Sequence, residues 1–195
     1  MRQWPFFLLM SVVGLCCGNA RASVFTLNFG GLQNGEEVLS YYNSGTGSLG
    51  SGPGPSYGIT FSPSFAAIAS APPYGPSEVG SLTGPPATMD VSGGFATGLF
   101  SFYYEGSNSS SSVTLWSGLN GTGAMLANIA LTATPGWTAD GAVFAGTAMS
   151  VVFSGTGSFD EITDTGLLLP EPSSLLLLCT GMAGMAAGLG RRRVA

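Results

Sequence analysis

Residues 23–169 are predicted to form an all-β domain, a single antiparallel β-sandwich or jelly roll. The segment is rich in Gly, Ser, Thr, Val and aromatic residues, and such compositions favour strands joined by tight turns. Several runs alternate apolar and polar residues with a period of two, as half-buried strands do. A length of about 147 residues suits one domain with a core of its own.

The predicted strands follow one another along the domain, separated by clusters of Gly, Asn and Ser. The first, residues 24–29, places Phe25, Leu27 and Phe29 on one face. Residues 95–105 form the longest predicted strand. The remaining predicted strands are 38–42, 57–61, 113–119, 125–131, 142–145, 148–153 and 159–163.

Residues 43–86 are predicted to be less regular. Eight of the twelve prolines lie between Pro53 and Pro86, and proline cannot donate to a central ladder of strands. The segment therefore favours long loops and edge strands. We interpret these as surface loops, with a ligand-binding rim as the alternative.

The charge distribution excludes several kinds of chemistry. All five basic residues and all three cysteines lie outside residues 23–169, and the chain has no histidine. The domain thus has no Ser-His-Asp triad, cysteine nucleophile or Schiff-base lysine, no zinc, copper or haem ligands of the His or Cys type, and no basic surface for nucleic acid. It carries a charge of about −9, and its acids leave only hard cations such as Ca²⁺ as metal candidates. These acids are Glu36, Glu37, Glu78, Asp90, Glu105, Asp140, Asp160, Glu161 and Asp164.

The N-terminal 22 residues have the pattern of a secretory signal peptide. Arg2 provides the positive start, and an apolar run follows over residues 4–17. Ala20 and Ala22 form an A-x-A cleavage site, so the mature chain is predicted to begin at Ser23. The secretion translocon is the implied partner of this segment.

The C-terminal 26 residues combine three unlike elements in a fixed order. Pro170, Glu171 and Pro172 precede an apolar run over residues 173–190, and a basic cluster follows, made of Arg191, Arg192 and Arg193. As a helix, the apolar run is about 27 Å long, which only just spans a hydrocarbon core of roughly 30 Å. The arginines place its end on the cytoplasmic side.

This tail closely resembles the PEP-CTERM sorting signal of exported bacterial proteins, over residues 170–195 only. The resemblance implies a substrate of an exosortase-type membrane protease that removes the tail. The precursor then lies in the inner membrane, and the mature domain passes to the cell envelope or extracellular matrix. The family also suggests a link to exopolysaccharide and biofilm. The alternative is an ordinary single-pass anchor that stays in place.

A calcium site is one candidate within the domain. Glu36 and Glu37 follow the first predicted strand, and Asp160 and Glu161 lie in the last. In lectin-like jelly rolls these two strands often run side by side, and residues 157–162 resemble the closing strand of carbohydrate-binding jelly-roll modules that hold a structural Ca²⁺. The alternative is that these acids simply keep the domain soluble.

An aromatic sugar platform is a second candidate. The alternation places Tyr103 and Trp116 on the polar faces of their strands. A hairpin between the two strands, closed by residues 106–112, would bring both rings together for stacking on a sugar. The alternative is that both rings belong to the core.

The sequence therefore favours a non-enzymatic, exported protein of the envelope or matrix that associates with exopolysaccharide. A carbohydrate-binding, lectin-like module with structural calcium is the alternative. A polysaccharide-cleaving enzyme would need two carboxylates drawn from Glu36, Glu105 and Asp160. Because no Lys, Arg or His is available to shape a cleft, we disfavour this third interpretation.

Overall fold

A computed structural model describes residues 25–71, 78–84 and 86–166, and these residues form an all-β fold, as predicted. Their ten strands belong to one antiparallel sheet, with a short 3-10 turn at Leu119–Gly121. The strands are β1 Phe25–Leu27, β2 Glu36–Glu37, β3 Ile59–Phe61, β4 Phe65–Ala69, β5 Glu78–Leu82, β6 Ala87–Glu105, β7 Ser112–Trp116, β8 Met125–Ala130, β9 Thr138–Ser154 and β10 Ser158–Gly166.

The predicted signal peptide and sorting tail lie outside the described residues. Within residues 25–71, 78–84 and 86–166, no helix has the length and apolarity that a membrane crossing requires. Residues Ala22–Leu167 form one compact unit.

The strand order across the sheet is β2-β4-β5-β10-β6-β9-β7-β8, with β1 paired to β10 and β3 paired to β6. β1 and β10 run antiparallel, with Phe25 opposite Asp164. The first and last strands therefore lie side by side, as the sequence suggested.

Two long strands connect two halves of this sheet. The start of β6 pairs with the end of β9 over residues 87–90 and 150–153, and the end of β6 pairs with the start of β9 over residues 98–104 and 138–144. The ladder shifts register between these parts, where Gly94 and Gly146 adopt positive φ values of 64° and 98°. Glycine tolerates this conformation, so both strands can bend there, and the sheet folds into a sandwich-like arrangement.

We call the two parts the first and second half-sheets. The first half-sheet contains β3, the start of β6, the end of β9, β7 and β8. The second contains β2, β4, β5, β10, β1, the end of β6 and the start of β9.

Aromatic side chains fill the space between the half-sheets. Phe153 of the first half-sheet lies 4.9 Å, centroid to centroid, from Phe159 of the second. Phe65 lies 5.2 Å from Phe153 and 6.2 Å from Phe159. All three rings are fully buried, and such edge and tilted contacts contribute about 0.5–1.5 kcal/mol each beyond area burial.

The predicted strand at residues 38–42 is wrong, because this segment is a turn. The amide of Tyr41 donates to the carbonyl of Val38 at 3.0 Å, and Leu39 has a φ of 45°. Val38, Tyr41 and Tyr42 are all buried, a spacing that no flat strand can present to one core.

The prediction of loops and edge strands for residues 43–86 is wrong for β4 and β5. Both strands lie inside the sheet order between β2 and β10, and Phe65 and Val79 are fully buried. The physical reason is that the prolines leave two gaps, residues 64–71 and 77–84, each long enough for a strand.

The strands predicted separately at residues 142–145 and 148–153 are one continuous strand, β9. The glycine between them bends the strand rather than ending it. Likewise β6 begins at Ala87, eight residues before the predicted start.

Glycine at position 80 is required by the aromatic core. A Cβ added there would overlap the Phe65 ring and lie 2.7 Å from Cζ of Phe29. We expect Gly80→Ala to lower the free energy of unfolding by about 2 kcal/mol, the usual cost of overpacking, as measured by urea denaturation. Gly93→Ala is the matched control, because nothing lies within 4 Å of its added Cβ; equal losses in both variants would contradict this account.

Candidate functional site

Glu36 is a fully buried carboxylate that organises a glycine-rich loop. It lies on β2. One carboxylate oxygen, Oε2, accepts the amide hydrogen of Gln33 at 2.8 Å. The other, Oε1, accepts those of Leu49 and Ser51 at 2.9 and 3.0 Å. Residues 47–51 are thereby held against the second half-sheet.

The surroundings of Glu36 keep it ionised. Burial by itself would raise the pKa of this carboxyl. Hydrogen bonds from the Ser51 side chain and from the three amides outweigh burial, so the pKa is lowered from its usual value. A Cβ on Gly47 would overlap the Glu36 side chain, so the loop approaches the carboxylate as closely as its backbone permits.

Asp160 and Asp164 are buried carboxyl groups that lack the hydrogen bonds made by Glu36. Both lie on β10 with no exposed surface, and none of their four carboxylate oxygens accepts a hydrogen bond of good geometry from the described residues. Asp164 sits between Phe25 of β1 and Phe100 of β6 in the strand register, and both of these rings are buried. Neither neighbour offers a charge or a donor.

A β-bulge separates the two aspartates. The ladder between β10 and β6 shifts between Asp160 and Thr163, and Glu161 has a φ of 49°. Two residues of β10 thus oppose one residue of β6 at this point. The bulge changes which face the following residues occupy, and Asp164 shares the inner face with Phe100.

Burial favours the neutral form of both aspartates. It raises the pKa of Asp164 to about 7. Burial is also the largest cause of the raised pKa of Asp160, which is about 7. The Glu161 carboxylate raises this pKa further, whereas a hydrogen bond from the Glu161 amide lowers it in part. Since a charged carboxylate in an apolar site is costly, ionisation of these groups lowers the stability of the folded domain.

The structure does not gather the four acids of the predicted calcium site. β2, which carries Glu36 and Glu37, is separated from β10 by β4 and β5. In the described part of the chain no three acidic side chains are close enough to hold one ion. Glu36 already accepts three amide hydrogens, so its oxygens serve the fold. The expectation of one ion shared by Glu36, Glu37, Asp160 and Glu161 is therefore corrected.

The predicted aromatic platform is also not formed. β6 and β7 are not a hairpin, because β9 lies between them. Tyr103 pairs with Ala139 near one end of β9, whereas Trp116 pairs with Ser150 near the other end. The predicted facing of the residues is nevertheless right, because Val113 and Leu115 are buried and Trp116 remains partly exposed.

Sequence reasoning missed the burial of Asp164 and the structural role of Glu36. The sequence did contain a sign that Asp164 is buried, since Ile162 and Asp164 are two residues apart and share a face of any regular strand. No local signal indicated the second, because its donors at positions 49 and 51 come from a loop brought back by tertiary folding.

Comparisons with known proteins give the following. No family model matches the chain, and no curated protein matches it. Among solved structures, the chain is similar to the K2 cleaved adhesin domain of Lys-gingipain, with 14% sequence identity and a TM-score of 0.48. The similarity covers 73% of this chain and 99% of that one.

The loop-organising role of Glu36 predicts a specific loss on neutralisation. Glu36→Gln replaces an acceptor by an NH₂ group that faces amide donors, so we expect the free energy of unfolding at pH 7 to fall by about 2 kcal/mol. Because the folded pKa is lowered, this stabilisation is present above the unfolded pKa of about 4.3 and is lost as pH falls through the folded pKa.

Urea unfolding of the full chain in mild detergent at pH 7 and at pH 3 measures the effect of Glu36→Gln. Glu37→Gln, the same change at the neighbouring half-buried position, is the control and should cost little. A loss for Glu36→Gln that is the same at both pH values would contradict a role for its charge.

The buried aspartates predict a stability that declines with rising pH. The unfolded chain releases these protons near pH 3.9, whereas the folded chain holds them to about pH 7. The free energy of unfolding therefore falls between these values and stays lower above them. We expect Asp164→Asn to raise it by about 2 kcal/mol at pH 8 and to change it little at pH 3.5.

The control for Asp164→Asn is Asp140→Asn, since Oδ1 of Asp140 accepts the amide hydrogen of Gly141 at 2.7 Å and Asn preserves that acceptor. Chemical denaturation at both pH values should separate the two variants. If Asp164→Asn raised the free energy of unfolding equally at both pH values, the stabilisation would come from packing and not from the removed charge.

Proposed function

We propose that this chain is an exported, non-enzymatic protein of the cell envelope or extracellular matrix, processed at both ends. Its signal peptide directs it to the secretion translocon, and its tail is a substrate of an exosortase-type membrane protease. The precursor is held in the inner membrane through the tail helix, and the mature domain then associates with exopolysaccharide. The single observation that carries this proposal is the order of Pro170-Glu171-Pro172, apolar run and arginine cluster.

The ends of the domain are suited to such processing. β1 begins at Phe25 and β10 ends at Gly166, so cleavage before Ser23 and beyond Pro172 would remove no strand residue. Because Phe25 pairs with Asp164, both ends leave the domain at neighbouring positions. Loss of either terminal segment is thus compatible with an intact core.

We further infer a jelly-roll topology. Eight segments succeed one another, namely β5, the start and end of β6, β7, β8, the start and end of β9, and β10. Their pairings give one layer in the order first, eighth, third, sixth and another in the order second, seventh, fourth, fifth. This order supports the two Greek keys of a jelly roll, with the remaining strands as additions at its borders.

A non-enzymatic role is supported by the side chains that the domain offers. Residues 23–169 contain no Lys, Arg, His or Cys, so general acid-base and nucleophilic chemistry would depend on carboxylates and hydroxyls alone. Of the acids weighed for glycoside hydrolysis, Glu36 is occupied by three backbone amides, which leaves it no part in binding a substrate.

Processing at both ends predicts the mass of the mature protein. Intact-mass analysis of native envelope or matrix material should show a chain that begins at Ser23 and lacks the residues after the Pro-Glu-Pro motif. A chain that keeps Arg191, Arg192 and Arg193 would reduce the tail to a permanent anchor.

Recognition of the tail predicts the effect of Glu171→Ala. The variant should accumulate as a membrane-bound precursor in the native host, because the motif read by the protease is damaged while the β domain is untouched. Glu105→Ala, a like change inside the domain, is the control and should mature normally. Release of the Glu171→Ala domain at the normal rate would show that the motif is not read.

A further inference from the structure

The outer face of the first half-sheet carries a row of uncharged side chains, three of which are polar. One row of side chains crosses four strands through paired positions: Thr88 opposite Val152, Val152 opposite Thr114, and Thr114 opposite Asn128. All four are at least partly exposed. The residues that alternate with them point into the core and are buried, as Met89, Val151, Phe153, Val113, Leu115 and Ile129 are.

Trp116 lies beside this row and gives the face an aromatic surface. It belongs to the adjacent row, in which it pairs with Ser150 of β9 and Met125 of β8. Its side chain is partly exposed.

The loop that follows β7 borders the face at Trp116. The amide of Gly121 donates to Oγ of Ser150 at 2.9 Å, and that hydroxyl donates to the carbonyl of Gly118 at 2.6 Å. A Cβ on Gly121 would lie 2.7 Å from Val152 and 4.0 Å from Nε1 of Trp116. The loop is therefore fixed upon the sheet and forms a wall at one side of the polar row.

The charges of the domain are concentrated elsewhere. Of the nine acids within residues 23–169, only Asp90 lies on a strand of the first half-sheet. Its Oδ1 accepts the amide hydrogen of Asn120 at 2.8 Å, which ties it to the loop wall. An exposed sheet face is usually kept soluble by charged side chains. This face offers hydroxyls, an amide and an indole beside the apolar Val152 and Met125, and Asp90 is its one carboxylate.

We propose that this face binds a neutral polysaccharide, with Trp116 stacking against a sugar ring and Thr88, Thr114 and Asn128 exchanging hydrogen bonds with its hydroxyls. Sugars present an apolar C–H face beside several hydroxyls, and aromatic rings flanked by a few polar groups suit such a ligand. An acidic polysaccharide is disfavoured, because the domain has no cation to pair with it.

The Thr114 and Asn128 side chains are positioned for this role. Oγ1 of Thr114 donates to Oδ1 of Asn128 at 2.9 Å, which fixes the amide group with its NH₂ available to a ligand. The Thr114 oxygen keeps its acceptor capacity. A sugar hydroxyl can thus donate to Thr114 and accept from Asn128 without disturbing the sheet.

The choice of ligand rests on the proposed matrix role, but the test is separate from it. Native affinity electrophoresis of the full chain in mild detergent should show retardation in gels that contain galactomannan or hydroxyethylcellulose. Any retardation in gels that contain alginate would come from the five arginines outside the domain and should not change in Trp116→Ala. Processing is measured by the intact mass of the mature protein, and polysaccharide binding by electrophoretic mobility. The processing proposal and the binding proposal can therefore fail independently.

Two variants locate the binding on this face. Trp116→Ala should weaken retardation by about tenfold, the scale of an aromatic anchor, and Thr114→Val should weaken it while preserving side-chain shape. The controls are Tyr103→Ala, an aromatic residue of the second half-sheet, and Thr26→Val, an exposed threonine on β1; both should be retarded as the natural chain is. Thermal melting of each variant verifies folding.

Several outcomes would overturn the proposal. These are no retardation in either neutral polymer, retardation only in alginate, retardation unaffected by Trp116→Ala and Thr114→Val, or loss with the control variants alone. Self-association of the chain through this face, seen as a dimer that Trp116→Ala dissociates, would assign the surface to a second copy instead.

Discussion

The constraint on which the rest of the structure depends is the absence of any side-chain cation from residues 23–169. No acid in the domain can be neutralised by Lys, Arg or His, and no disulfide can form. Stability must therefore come from apolar burial, aromatic contacts and the hydrogen-bond ladders of the sheet. The contacts among the rings of Phe65, Phe153 and Phe159, which join the two half-sheets, are one such source of stability.

The buried acids are accommodated without cations in two ways, one ionised and one neutral. Glu36 remains ionised because backbone amides surround it, and in doing so it orders the loop at positions 47–51. Asp164 has no such donor, and Asp160 has only the neighbouring Glu161 amide, so burial shifts both toward the neutral form. The first arrangement stabilises the fold at neutral pH, whereas the second costs stability there.

The same constraint shapes the surface. Since the acids have no cationic side chains as partners, their placement decides which surface of the domain is charged. The acids cluster on β2, β5, β10 and the ends of β6 and β9 that belong to the second half-sheet, while the first half-sheet carries Asp90 alone. The strands β6 and β9 run through both parts, so two surfaces of different chemistry share one hydrogen-bonded framework.

The sequence by itself determined the fold class, most strand positions and the facing of individual side chains. Period-two alternation is a local property, and it placed Phe25, Leu27 and Phe29 on one face, which is buried, and Trp116 outward. Only the tertiary structure decided which strands are neighbours, because pairing depends on contacts far apart in the chain. For this reason β9 separates Tyr103 from Trp116, and β4 and β5 separate Glu36 from Asp160. The fate of each acid followed likewise from what surrounds it, amides at Glu36 and rings at Asp164, and no local pattern specifies those surroundings.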